Sequence, residues 1–160
     1  MYKIPTPTNG ELFILARPRG NDWLDVDVAS WRQQHIDTVV SLLANGEIKD
    51  LELEQEEEKS LTNGIQFVSF EIEDRGVPRS RENFQIATEE LTEQLKSGKK
   101  IGIHCRQGIG RSGMLAIGIL SQLGESIPNA IQTVSQSRGR TVPETQEQKR
   151  WLLQNDAESF

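Results

Sequence analysis

Apolar positions along the chain fall into runs of two kinds. One kind is nearly continuous and rich in β-branched residues. Ile36–Leu43 reads IDTVVSLL and Ile65–Ile72 reads IQFVSFEI, with shorter versions at Leu12–Leu15 and Ile101–Cys105. Runs of this length, bounded by turn residues, predict strands buried on both faces. The other kind recurs with the period of a helix. Val28 and Trp31 mark one face of a helix over Asp25–His35. Phe84, Ala87, Leu91 and Leu95 mark the face of another over residues 81–97, which Ser80 can cap and Gly98 ends. Met114–Leu123 is apolar nearly all round, which predicts a buried helix stopped at Gly124. Pro128 and Pro143 open two more helices, the first ending near Gly139, the second with Trp151, Leu152 and Leu153 turned inward.

Strands alternating with helices predict an α/β fold. The expected architecture is a central, mainly parallel sheet of about four or five strands flanked by helices, with a helical C-terminal part, in one domain over residues 1–160. Ligands on such sheets bind beyond the carboxyl ends of the strands. The loop after Ile101–Cys105 is therefore the first place to look for chemistry.

Charge sharpens this picture. The formal charge of -6 is carried by one stretch, residues 47–58, where Glu47, Asp50, Glu52, Glu54, Glu56, Glu57 and Glu58 face a single base, Lys49. Without that stretch the chain is neutral. The stretch predicts an acidic helix or helical loop with a solvated face. No excess of Lys and Arg supports nucleic-acid binding. The longest apolar run, Met114–Leu120, is far short of the roughly 20 residues that cross a bilayer, and the first ten residues lack the apolar core of a secretory signal. One cysteine and two histidines leave no internal disulfide and no dedicated Cys/His zinc site. The expectations are a monomer in a reducing cytoplasm, with no metal, no cofactor and no membrane or nucleic-acid partner.

The lone cysteine sits in His104-Cys105-Arg106-Gln107-Gly108-Ile109-Gly110-Arg111-Ser112-Gly113, between a strand and a helix. A strand-loop-helix turn aims successive N–H groups inward and forms an anion nest, to which the helix N-terminus adds partial positive charge. Gly108 and Gly110 permit tight turns. Arg111 can clamp an oxyanion through two parallel N–H bonds. The same field favours the thiolate of Cys105, which would then face a bound tetrahedral oxyanion as a nucleophile. Gly108–Gly113 also fits G-x-G-x-x-G, but a dinucleotide fingerprint should open a βαβ unit and only helices are expected after it. No Gly-Lys-[Ser/Thr] of a Walker loop is present. A Cys–His protease pairing is disfavoured because His104 and Cys105 are neighbours in a strand and point to opposite faces.

The string resembles the signature loop of the cysteine-dependent protein tyrosine phosphatases, H-C-x-x-G-x-x-R-[ST], at every fixed position. The stretch Ile72-Glu73-Asp74-Arg75-Gly76-Val77-Pro78 resembles the acid loop of the dual-specificity type, in particular the compact cyclin-dependent-kinase-associated branch. The resemblance covers about Leu12 to Leu153. It implies that Cys105 is the nucleophile, Arg111 the phosphate clamp and Asp74, rather than Glu73, the general acid. Ser112 would donate a hydrogen bond to the departing thiolate, and Arg106, Gln107, Gly108, Ile109 and Gly110 would bind phosphate mainly through backbone N–H groups. By the same resemblance His104 would bond backbone near Cys105 and hold the loop. Val142–Gln148 is similar to the water-positioning Q-T-x-x-Q segment. Gln148 matches its second glutamine, but Glu144 replaces the first. Arg75, Arg79, Arg81, Arg138 and Arg140 are candidates for holding a second negative charge on the substrate.

The function implied is metal-independent hydrolysis of phosphate monoesters on proteins, phosphotyrosine first, with phosphoserine and phosphothreonine in range, through a cysteinyl-phosphate. The partner is then a phosphorylated protein or peptide. Two alternatives stand beside it: a phosphatase of the same mechanism acting on phosphoinositides or other small esters, and a non-catalytic phosphate-binding module.

Overall fold

The computed structural model describes residues 1–158. Its elements, in chain order, are β1 (Tyr2–Ile4), β2 (Glu11–Ile14), α1 (Leu24–Gln33), β3 (Thr38–Ser41), α2 (Asn45–Asp50), α3 (Glu56–Thr62), β4 (Gln66–Ser69), α4 (Arg81–Lys96), β5 (Lys100–His104), α5 (Arg111–Gln122), α6 (Ile127–Arg138) and α7 (Gln146–Glu158). The strands form one sheet in the order β1-β2-β5-β3-β4. All neighbours are parallel except the β1–β2 edge pair, in which Tyr2 faces Ile14 and Ile4 faces Leu12. This is the α/β architecture that the pattern of runs predicts. The short strand β1 is an addition, since Tyr2–Ile4 carries too few apolar residues to signal a strand by itself.

Alternation along each strand splits the core in two. Leu12, Ile14, Val40, Leu42, Ile101 and Ile103 face α4–α7 on one side. Leu15, Val39 and Leu43 face α1 and the α2–α3 region on the other, where Leu24, Val28, Trp31 and Leu53 complete the packing. β5 lies between β2 and β3, with Ile103 beside both Ile14 and Val40. Its carboxyl end therefore opens at the middle of the sheet edge, where both crossover directions leave a crevice.

The helices begin and end where their sequences direct. Ser80 Oγ accepts the N–H of Asn83 at 3.1 Å and opens α4. Ser126 Oγ accepts the N–H of Asn129 at 3.3 Å and opens α6. Two expectations about faces are corrected. Leu153 is exposed, while Gln148 and Leu152, four apart, point inward together. The acidic stretch is not one solvated face, because it breaks into α2 and α3 around buried Leu53 and turns Glu56 fully inward.

α4 and α5 approach closely at Gly118, where a Cβ would lie 2.7 Å from the Phe84 ring. Gly118→Val should therefore overpack this contact and lower the unfolding free energy by about 1–3 kcal/mol in urea denaturation. An unchanged midpoint would mean that the two helices separate freely.

Candidate functional site

The site is assembled at the carboxyl edge of β5. The last strand residue, His104, turns to the α1 face, where its ring lies 6.2 Å from that of Trp31 at an interplanar angle of 26°. Cys105, one residue on, is buried on the opposite face. The chain then bends through Gly108 at φ +70°, a left-handed conformation that a Cβ would strain. That bend turns the Gly108 N–H toward Cys105 Sγ, at 3.2 Å. Arg111 starts α5 from Gly110 and reaches back over the loop.

Arg111 is only 2% exposed. A buried guanidinium needs acceptors, and two separate segments supply them, α2 and the loop after β4. Glu47 on α2 accepts in bidentate fashion, from Nη1 at 2.6 Å and Nη2 at 2.9 Å. The Ile72 carbonyl accepts from Nη1 at 2.9 Å, and Asp74 Oδ1 accepts from Nη2 at 3.2 Å. Burial is the largest single influence and opposes the charge on both members of the Glu47–Arg111 pair, but their hydrogen bonds and the surrounding charges together outweigh it. Glu47 is held below the ordinary glutamate range, with the Ala44 N–H and the Arg106 charge adding to the effect of Arg111. Arg111 is raised further by Glu47, by Cys105 and by Asp74.

Asp74 stands in the loop after β4, with its side chain 56% exposed. The loop is fastened from α7. Gln148 Nε2 donates to the Gly76 carbonyl at 3.0 Å, and Arg75 pairs with Glu144 at 2.9 Å. Gln148 Oε1 meanwhile accepts the N–H groups of Glu144 and Thr145 at 3.1 and 3.2 Å. Gln148 is thus neither an exposed helical glutamine nor an amide free to face water. It ties the start of α7 to the acid loop. Cys105, Arg111, Asp74, Gln107, Gly110 and Glu144 line one cavity of about 80 Å³. A larger hollow of about 300 Å³ lies elsewhere, against Leu15, Arg17 and Trp31.

The remaining expected residues are placed as follows. Ser112 is buried and its Oγ has no hydrogen-bond partner among the described residues. Ile109 sends its side chain into the core, so only its backbone serves the loop. Arg106 lies on the outer side, 3.8 Å from Glu47. His104 Nδ1 is 3.5 Å from the Cys105 carbonyl, whereas its Nε2 is 2.5 Å from Glu56 Oε1. The short contact of the ring is therefore to a buried carboxylate rather than to backbone. Four of the five arginines considered for a second substrate charge are engaged within the protein, Arg75 through its pair with Glu144. Arg79 pairs with Glu73, Arg81 covers Trp151, and Arg138 donates to the Gln107 and Gly108 carbonyls.

Glu47 and Glu56 are parts of this site that the sequence does not single out, and Arg138 stands in a different place from the one expected of it, on the loop carbonyls. One signal pointed to Glu56: Leu53, Glu56 and Ser60 share a helical spacing, and all three are buried.

The sequence profile described as "Dual specificity phosphatase, catalytic domain" matches residues 27–158. The chain belongs to this family. A curated relative, "Putative tyrosine phosphatase 067L" of Invertebrate iridescent virus 3, is 36% identical over 93 residues, 54% of this chain. The chain spans 37% of that relative's length. Among solved structures, a kinase-associated phosphatase with its catalytic-site cysteine replaced by serine superposes with a TM-score of 0.90 at 22% identity, covering 98% of this chain and 93% of the other. Tk-PTP in its active form superposes with a TM-score of 0.77 at 24% identity, covering 99% and 98% of the two chains. These structural likenesses show the dual-specificity phosphatase fold.

The Glu47–Arg111 pair sets a pH dependence. A carboxylate held below its ordinary 4.5 contributes stability above that value and loses it as pH falls toward the depressed one. Glu47→Gln should cost about 3 kcal/mol at neutral pH. The gap between parent and variant should close as unfolding is measured at pH values progressively below 4.5. A gap independent of pH would show that the ion pair is not its source.

Proposed function

We propose that this chain is a cysteine-dependent protein phosphatase that hydrolyses phosphate monoesters through a Cys105-phosphate intermediate. The observation that carries the reading is the convergence of Cys105, Arg111 and Asp74 on one cavity, with the Gly108 N–H already directed at the sulfur. In the first step the Cys105 thiolate attacks phosphorus, and an S–P bond forms as the bond to the leaving oxygen breaks. Loop N–H groups and Arg111 hold the three outer oxygens, whose charge would otherwise oppose attack. The phosphoryl group takes over the Nη2 bond that Asp74 now receives. Asp74, mostly exposed and held by that single contact, turns to the leaving oxygen and protonates it.

In the second step water attacks phosphorus and gives its proton to the Asp74 carboxylate, while the S–P electron pair returns to sulfur. Ser112, whose buried hydroxyl lacks a partner among the described residues, donates to the departing thiolate. His104, fixed by Glu56 and Trp31, holds the end of β5 from behind. Phosphotyrosine is the substrate class put first, which the name of the viral relative supports, with phosphoserine and phosphothreonine within range. A phosphorylated protein is then the partner of a monomeric enzyme. A reducing, cytoplasmic setting suits a chain whose one cysteine must stay a thiolate.

Hydrolysis of p-nitrophenyl phosphate in EDTA tests the reading. The parent should turn over, Cys105→Ser should have no activity, and Asp74→Asn should lose about 10²–10⁴-fold in kcat together with the basic limb of the pH profile. A parent that is inert, or that works only with added metal, would overturn the mechanism.

A further inference from the structure

The loop from Cys105 to Arg111 turns the Gly108 N–H inward, to Cys105 Sγ, and the Gln107 and Gly108 carbonyls outward. Carbonyls facing out of a buried loop also need partners. Two of them share one. Arg138, the last residue of α6, donates from Nε to the Gly108 carbonyl at 2.9 Å and from Nη2 to the Gln107 carbonyl at 3.2 Å. Its guanidinium stacks on the Tyr2 ring of β1, 4.2 Å from the centroid. The side chain is therefore held between an edge strand and the outside of the loop.

Gly108 links this outer contact to the nucleophile. Its carbonyl accepts from Arg138, while its N–H donates to Cys105 Sγ at 3.2 Å. The position is a glycine at φ +70°, so it has no side chain of its own to fix the bend. The planar fork of Arg138 spans two successive carbonyls, which a lysine ammonium cannot do in the same geometry. Its charge also lies at the oxygen end of the Gln107–Gly108 peptide group, whose N–H faces the Cys105 sulfur, and so polarises that group in the favourable sense.

We propose that Arg138 is a positioning residue: it orients the Gln107–Gly108 segment from outside the cavity, so that the loop N–H groups face the Cys105 sulfur and the bound phosphoryl group. The proposal rests on the phosphatase reading of the loop. It also reassigns Arg138, whose carbonyl contacts leave it holding the loop rather than a second charge on the substrate.

The test compares parent, Arg138→Lys and Arg138→Met in three measurements: kcat/KM with p-nitrophenyl phosphate, the inorganic phosphate concentration that half-protects Cys105 from iodoacetamide, and the thermal midpoint. Arg138→Met should lose about 10- to 100-fold in kcat/KM, the scale expected when reacting groups are displaced by about an ångström. Its half-protecting phosphate concentration should rise in parallel, and Arg138→Lys should fall between the two in both measurements. If Arg138→Met does not fold, the lysine variant carries the test on the same readouts. Unchanged phosphate protection in a folded variant, whatever its midpoint, would overturn the proposal and leave the phosphatase reading intact. A parent that neither turns over nor is protected by phosphate would overturn both.

Discussion

A guanidinium buried as deeply as Arg111 organises whatever surrounds it. It brings a fixed charge and a planar set of donors, and leaving them without acceptors would cost several kcal/mol. The acceptors come from α2 and from Ile72 and Asp74 in the loop after β4, so one ion joins segments 37 to 64 residues away in sequence. The cavity takes its shape from that requirement. Glu47 holds the back of the arginine and is itself well buried, whereas Asp74 holds the front and is mostly exposed. The two carboxylates are therefore unequal: the inner one is fixed, and the outer one is the contact that an incoming anion can replace.

The sheet supplies the frame for this arrangement. β5 runs between two parallel neighbours and delivers Cys105 to the middle of the carboxyl edge. Strand alternation then gives adjacent residues different work. His104 joins the α1 side, against Trp31 and Glu56, and Cys105 joins the α5 side, under the loop. The loop is supported from three directions: by the His104–Glu56 pair behind it, by Arg138 outside it, and by the α7 contacts that hold the acid loop across the cavity.

The readable part of this site was contiguous in the chain. Residues 104–113 determine their own local geometry, because strand, glycines, arginine and helix start follow one another, and the family resemblance rests on the same stretch. Asp74 could be placed because it follows a strand whose carboxyl end must emerge at the same edge. Glu47 and Glu56 could not be placed in this way. Their partners lie 64 and 48 residues off, and no local periodicity records a pairing over that distance. In a run of seven acids, inward-facing and outward-facing members look alike. Only the apolar residues between them, Leu53 above all, show which way each turn of helix faces. Gln148 was half readable: its motif position was evident, but its inward face followed from Leu152 rather than from the misplaced Leu153.

The acidic stretch thus performs two tasks under one composition. Asp50, Glu52, Glu54, Glu57 and Glu58 face solvent, while Glu47 is the counter-ion of Arg111 and Glu56 the buried partner of His104. Anyone neutralising this surface to change solubility or crystal packing would treat the seven as equivalent on charge alone. Two of them are not interchangeable with the rest, and they sit at nearly opposite ends of the segment. A redesign that spares positions 47 and 56 keeps both interior pairs, whereas one that shuffles the same residues at constant net charge removes the counter-charge of Arg111 and the partner of His104.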